Sequence, residues 1–558
     1  MSFRERILTL LLALAICPYF IDLGGSAIWD ANEAFYVETP REMIERGDYI
    51  SPTFNYEPRL NKPVLSYWVV AGVYHLFGVS VGVQRLPIAI GAIVMIAAAF
   101  VLALAAAPVG TDAADSRRRV EAALWSALGL ASTPRLLMFS RRIIIDVFIA
   151  MFMALALMCF ALSERYPERR RRYLVWMYVA IGLGVLTKGP IAILLPGAVF
   201  AGYLIVHREL GRVRSMMLPA GTLIVAAIIV PWYAALYARD GWEPIKSFII
   251  GENLARYTEG LGVDAIRPFW FYAPVIFSDS FPWSLFLIPA AAAWFAGRRT
   301  AGDADPARRV LTLLWLWIVV IVLFFTASAA KQDLYIYPIV PAVTALAGLT
   351  IAHGLRERMR AMRWTASAIG VVVAIAGAGV LYLVGSPTGT YVVEGSRIMG
   401  VAGVVGGLSI LVLAVANRSA LAVVGIAITF IVLNWGFVLR VLPGFERYKP
   451  VPGFAATLEP RLQERDRVVT FGEALPSLVF YLRRHVDPIF IEQELFDAFR
   501  AGGTVYAVLS TKNYGDVVDR IGVPTCEIER RPTFDVKLRN MIARQPLPEL
   551  VLITNKCS

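Results

Sequence analysis

Residues 84–107, QRLPIAIGAIVMIAAAFVLALAAA, form an apolar run long enough to cross about 30 Å of hydrocarbon as a helix. Twelve comparable runs accompany it, near 7–24, 120–137, 143–162, 172–187, 190–206, 217–238, 270–295, 309–327, 333–353, 365–386, 398–416 and 419–440. The expectation is therefore a polytopic α-helical membrane protein with about 13 transmembrane helices. Composition agrees, because 58% hydrophobic residues and a mean hydropathy of +0.62 exceed what a soluble chain of 558 residues can hide in its core.

The formal charge of +12 would suggest nucleic acid in a soluble protein, but here the arginines fall between apolar runs, so no nucleic-acid partner is expected. They occupy alternate connections: Arg4 and Arg6, Arg117–Arg119, Arg165 to Arg172, Arg208 to Arg214, Arg298 to Arg309, Arg356 to Arg363, and Arg418. The positive-inside rule then places the N-terminus and these loops in the cytoplasm. The segments 25–83 and 239–269 and the tail after 440 face outward. Pro18 interrupts the first run and no small-residue cleavage site follows, which argues for a retained span.

Cations on the outer side break this rule. Arg141, Arg142, Lys188 and Lys331 sit at outer ends of spans, and such a set suits an anionic ligand, most simply a phosphate at headgroup depth. Carboxylates accompany them. Asp30, Glu33 and Glu38 follow the first span within an aromatic-rich loop, residues 29–68, WDANEAFYVETPREMIERGDYISPTFNYEPRLNKPVLSYW, and Asp146 lies one turn inside an apolar span in IIIDVFIAMF. Asp279, flanked by Pro274 and Pro282, is a further candidate for lining a cavity at a kink. Gly403 to Gly407 reads as close helix packing rather than a phosphate cradle.

The tail changes character. Residues 468–471, 488–491, 505–509 and 550–553 read as short buried strands with helices between them, giving an α/β module over 441–558 that follows a membrane domain over 1–440. Cys526 and Cys557 both lie in this tail and would pair in an oxidising compartment, whereas Cys17 and Cys159 lie inside apolar runs.

Taken together, WDANEAFYVE at 29–38, TPREM at 39–43, GDYISP at 47–52, NKP at 61–63, IID at 144–146, GVLTKGP at 184–190 and AKQDLYIYP at 330–338 resemble the aminoarabinose transferase group among the bacterial relatives of protein O-mannosyltransferases. The resemblance implies the GT-C membrane fold and a glycosyltransferase of a bacterial inner membrane. Its donor would be a polyprenyl-phosphate sugar and its acceptor a lipid, such as lipid A, or another glycan or protein at the periplasmic face, reached by one inverting displacement. On that pattern Glu33, Asp30 and Asp146 are the catalytic carboxylates. Lys62, Arg141, Arg142, Lys188, Lys331 and Tyr337 hold the donor phosphate, and Glu252 and Arg256 of GENLARY belong to the acceptor side or cavity. Two departures stand out: the first acid of the usual Asp-Glu pair is Asn32, and the metal-associated His is Asn253. No firmly bound metal or other cofactor is therefore expected. A transporter or lipid flippase is the alternative, since it too would gather ions near the bilayer; it would carry matching halves with broken helices, and no such repeat is visible.

Overall fold

The structure is a computed structural model and describes residues 2–30, 32–109, 112–259, 267–297, 305–386, 389–534 and 538–557. Arg298 and Arg299, counted above among the cytoplasmic arginines, lie outside these residues, as do the side chains of Asn32 and Ala113.

Each of the thirteen apolar stretches contains helix. Helix α1 (Phe3–Ile16) starts on a capping box in which the Ser2 hydroxyl accepts from the Glu5 amide and the Glu5 carboxylate from the Ser2 amide. Helix α2 (Asn32–Arg46) and α3 (Leu65–Phe77) belong to the first outer segment, followed by α4 (Val81–Ala106), α5 (Ala113–Ser132), α6 (Pro134–Ser140), α7 (Ile145–Arg165), α8 (Arg170–Lys188), α9 (Ile191–Val206) and α10 (Leu218–Asp240). Later helices cover Pro306–Thr326, Val340–Arg356, Arg360–Leu383, Ser396–Val415 and Ser419–Gly436.

By length and composition, eight helices among the described residues suffice to cross a membrane, or nine when Phe269–Asp279 and Trp283–Ala296 count as one span bent by 108°. The count of about thirteen is thus not reached by that standard. Helices α1 and α9 are short, with 14 and 16 residues, while α5 and α8 each carry an arginine run in their first turns. The bend falls between Asp279 and Trp283, where prolines were expected to break the helix.

Two apolar cores fill the bundle. One joins α1, α3, α4 and α5 to the last three spans; the other joins α4, α7, α8 and α9 to Pro306–Thr326 and Val340–Arg356. Glycines let Arg360–Leu383 and Ser396–Val415 touch through backbone: a Cβ on Gly407 would lie 2.4 Å from the Ala374 nitrogen, and one on Gly377 would lie 2.6 Å from that of Val404.

Outside the bundle, β1 (Thr53–Phe54) and β2 (Glu57–Pro58) form a hairpin whose two turn residues, Asn55 and Tyr56, have φ of 58° and 62°. The tail folds as a five-stranded sheet of β3 (Arg467–Phe471), β4 (Asp487–Ile489), β5 (Val505–Ser510), β6 (Cys526–Pro532) and β7 (Glu549–Thr554), ordered β4-β3-β5-β7-β6. Pairs β3/β4 and β3/β5 are parallel, β5/β7 and β6/β7 antiparallel, which matches the expected partly parallel α/β module. The strand missed from sequence is β6, an edge strand of sequence CEIERRP with charges on both faces. Cys526 and Cys557 form a disulfide across this edge. The span before the tail continues to Gly444.

Candidate active site

A cavity of about 650 Å³ opens among α2, the N-terminal turn of α7, the α8–α9 junction, the segment Ser247–Arg256 and the residues leading into Val340–Arg356. Most of its wall is apolar, including Ile145, Ile149, Met153, Leu194, Phe324 and Phe325. Five charged side chains also line it: Lys62, Asp146, Lys188, Glu252 and Arg256. Sequence reasoning named all five, and the fold brings them together from four separate segments.

These charges neutralise one another in two sets. Lys188 pairs with Asp146. Glu252 receives Lys62 and Arg256, each at 3.3 Å. Those two contacts are longer than the 2.7–2.9 Å usual for charge-assisted bonds, so both cations can turn to an incoming anion at small cost. Burial pushes the Lys62 ammonium below its ordinary pKa, opposed by Glu252 and reinforced by the like charges of Lys188 and Arg256. An anion delivered here would relieve that repulsion. Tyr335 lies at the same wall, its ring centroid 5.6 Å from the Lys188 ammonium.

The other nominated residues sit elsewhere. Glu33 is enclosed behind the cavity, its carboxylate clasped by Arg85 at 2.7 and 3.0 Å and capped by the backbone amides of Trp29 and Ile143. Arg141 is spent on the carbonyls of Pro18, Ile21 and Asp22 at the end of the first helix, at 2.8, 2.7 and 2.5 Å. Burial, with repulsion from Arg85, pushes its guanidinium down to about 10. Arg142 stacks over Trp29 at 5.2 Å, and Lys449 of the tail covers that ring at 4.0 Å. Lys331 donates to the Ser328 carbonyl at 2.7 Å and does not line the cavity.

Tyr337 is fully buried against Phe139, and its hydroxyl has no hydrogen-bond partner among the described residues. The tyrosine that meets the cavity is Tyr335, two positions earlier, because residues 333–339 wind as a 3₁₀ helix that turns alternate tyrosines to different sides. Asp279 is also fully buried; it pairs with Arg135 at 3.0 Å and takes no part in the cavity.

Asp30 belongs to a brace between the first outer segment and the tail. Its carboxylate accepts from the Ser477 amide at 2.7 Å and the Ser477 hydroxyl at 2.8 Å. Close by, the Ala27 amide donates to Glu446 at 2.9 Å and the Ile28 amide to the Tyr481 hydroxyl at 3.0 Å, while Lys449 donates to Ser26 and to the Ala27 carbonyl. Asn55 in the hairpin turn exchanges two hydrogen bonds of 2.9 Å with the Val486 backbone. Although Asp30 keeps solvent access, the protein crowding its carboxyl pushes it up to about 6, against the lowering effect of Ser477.

Arg85, Lys449 and Tyr335 escaped the sequence reading. Arg85 left a usable signal, an ionisable residue inside an apolar run. Lys449 and Ser477 left none, because their partners are more than four hundred residues away.

The residues at the position of the expected metal-associated His do not suit a metal ion. Asn253 donates its amide to the Phe248 carbonyl at 2.7 Å, and Glu252 already faces two cations.

Residues 61–234 match the family described as dolichyl-phosphate-mannose-protein mannosyltransferase. Over 378 residues the chain is 27% identical to an undecaprenyl phosphate-alpha-4-amino-4-deoxy-L-arabinose arabinosyl transferase of Pseudomonas fluorescens, a match covering 65% of this chain and 61% of the relative. It is 29% identical to the corresponding protein of Pectobacterium carotovorum, covering 66% and 64%. The chain thus matches less than two thirds of these relatives' own length. The crystal structure of ArnT from Cupriavidus metallidurans bound to undecaprenyl phosphate superposes with a TM-score of 0.78 at 22% identity, covering 100% of this chain and 99% of the other. Its apo form gives 0.76. The chain thus has the fold of these ArnT structures and is similar, over about two thirds of its own length, to aminoarabinose transferases.

Proposed function

We infer that this protein is a membrane glycosyltransferase that moves a sugar from a polyprenyl-phosphate carrier to an acceptor at the extracytoplasmic face of a bacterial inner membrane. The observation that carries the reading is the mixed character of this cavity: an apolar wall suited to a polyprenyl chain, beside Lys62, Lys188 and Arg256, which suit its phosphate. The relatives named for undecaprenyl phosphate-aminoarabinose support a pentosamine donor, and the sequence resemblance makes lipid A the first acceptor to try. No observation favours a transporter.

The chemistry follows from the charges. The bond between the anomeric carbon and the carrier phosphate breaks, and the phosphate leaves with the electron pair toward Lys62 and Arg256, which Glu252 releases as the negative charge grows. The acceptor oxygen forms the new bond from the opposite face, inverting the carbon. Asp146 is the proposed base for the acceptor's proton, since among the carboxylates Glu33, Asp30 and Asp146 it alone lines the cavity. Lys188, its partner, orients it and receives the carrier's remaining charge. Glu33 and Asp30 act as positioning residues, fixing the loop that presents Lys62.

The test is transfer from polyprenyl-phosphate aminoarabinose in membranes, read by the pentosamine mass on lipid A and other surface glycans. Asp146→Asn and Lys62→Ala should each lose the product while the protein stays folded. Full transfer by both variants would remove this site, and absence of any labelled product from the native protein would remove the donor.

A further inference from the structure

Helix α8 begins far from the cavity. Its C-terminal residue Lys188 lines that cavity, and its N-terminal residue Arg170 lies about 27 Å away along the helix axis, at the other face of the bundle. There a second cleft, of about 860 Å³, is lined by Arg169, Arg170, Arg171, Arg172, Arg214 and Glu168, among others.

Neighbouring arginines show how this fold neutralises cations when it needs to. Arg170 and Arg212 pair with Glu164 at 2.6 and 2.8 Å, and Arg309 pairs with Glu209. Within the cleft, Arg170 alone is neutralised in this way: the side chains of Arg169, Arg171, Arg172 and Arg214 make no ion pair or hydrogen bond among the described residues. Nor does Glu168, the one carboxylate in the cleft, pair with any of them.

The backbone adds to the positive potential. Arg169 to Arg172 occupy the start of a 19-residue helix with no acidic residue in its first turn and no side-chain cap. Cations at this pole oppose the helix dipole, so an anion seated in the cleft would relieve an unfavourable concentration of positive charge. The surroundings are apolar and open. Trp176, one turn below Arg172, is 56% exposed, and Leu218, after the Arg214 loop, is 46% exposed.

We propose that this arginine cleft is a binding site for the headgroup of an anionic phospholipid, with the acyl chains along Trp176 and Leu218. A lipid carrying two phosphodiesters, of the diphosphatidylglycerol class, meets four unpaired guanidinium groups better than one carrying a single phosphodiester. The apolar flank selects a lipid over a soluble phosphate, and the site is independent of the donor cavity.

The experiment uses the intact protein in detergent. Retention of diphosphatidylglycerol is followed by native mass spectrometry, with phosphatidylcholine as reference, and thermal unfolding is recorded with and without each lipid. One diphosphatidylglycerol should be retained per chain and raise the unfolding midpoint. The triple variant Arg171→Gln/Arg172→Gln/Arg214→Gln should unfold as the native protein does without lipid, yet bind about tenfold or more weakly. Equal retention by variant and native protein would overturn the site, as would equal retention of phosphatidylcholine. Displacement of the lipid by millimolar inorganic phosphate would overturn the lipid as occupant and assign the cleft to a soluble anion. None of these readings involves sugar transfer, so the site stands or falls apart from the proposed activity.

Discussion

Arg85 and Glu33 face each other as a bidentate ion pair, Nε to Oε1 at 2.7 Å and Nη2 to Oε2 at 3.0 Å, with neither side chain more than 1% exposed. Arg85 also donates to the carbonyls of Leu23, Ser26 and Ala27, so the pair fixes the path from the first span into the outer loop. Removing one member of such a pair strands the other charge, at a cost of about 3–5 kcal/mol. Glu33→Gln should therefore lower the yield of folded protein and its unfolding temperature, not sugar transfer alone. Glu33→Gln protein with native stability and no transfer would instead restore Glu33 to the chemistry.

Asp146 and Lys188 should separate chemistry from fold. Asp146→Asn is expected to reduce transfer by about 10²–10⁴-fold, the usual worth of a general base, with KM for the donor little changed. Lys188→Gln should instead raise the donor KM as well. Steady-state kinetics in proteoliposomes distinguishes the two patterns.

The two tyrosines of the AKQDLYIYP segment make a paired control. Tyr337→Phe removes a buried hydroxyl that has no hydrogen-bond partner among the described residues and should leave both transfer and unfolding temperature unchanged or slightly improve stability. Tyr335→Phe alters the cavity wall and should slow transfer. The reverse result, measured side by side in one assay, would return the donor contact to Tyr337.

The brace between loop and tail should depend on pH. Crowding raises the Asp30 carboxyl from 3.8 to about 6. A raised carboxylate pKa means that the folded state prefers the protonated form, so this contribution is complete below the unfolded value and is lost as pH rises through about 6. Native protein should therefore lose stability relative to Asp30→Asn between about pH 4 and about pH 6.5, as read by parallel thermal melts. Melts that keep a constant separation would show that Asp30 does not titrate in this window.

What the sequence revealed, and what it hid, follows from the range over which each interaction acts. Apolar length is a local property, so each span-like stretch contains helix although eight or nine among the described residues are long and apolar enough to cross a membrane, and the tail strands were legible as buried runs except β6, whose charges alternate with few apolar residues. Lys62, Asp146, Lys188, Glu252 and Arg256 were legible because a charge at the edge of an apolar run is costly and stands out. Arg141 carried the same signal for another reason, since it satisfies backbone carbonyls at a helix end. The charge of a side chain marked it as special; only the fold told ligand contact from internal support. Tyr335 and Tyr337 were indistinguishable until the 3₁₀ turn assigned them to different environments.

The hydrogen bonds between residues 26–30 and Glu446, Lys449, Ser477 and Tyr481 tie an early-made segment to one made some four hundred residues later. During biosynthesis the early loop must wait, already at the membrane, until some four hundred further residues have been made. A nascent chain stalled before residue 446 would hold every charged group of the cavity yet lack the support that sets the loop's shape. The shape of the early loop is thereby coupled to synthesis of the tail segment that braces it.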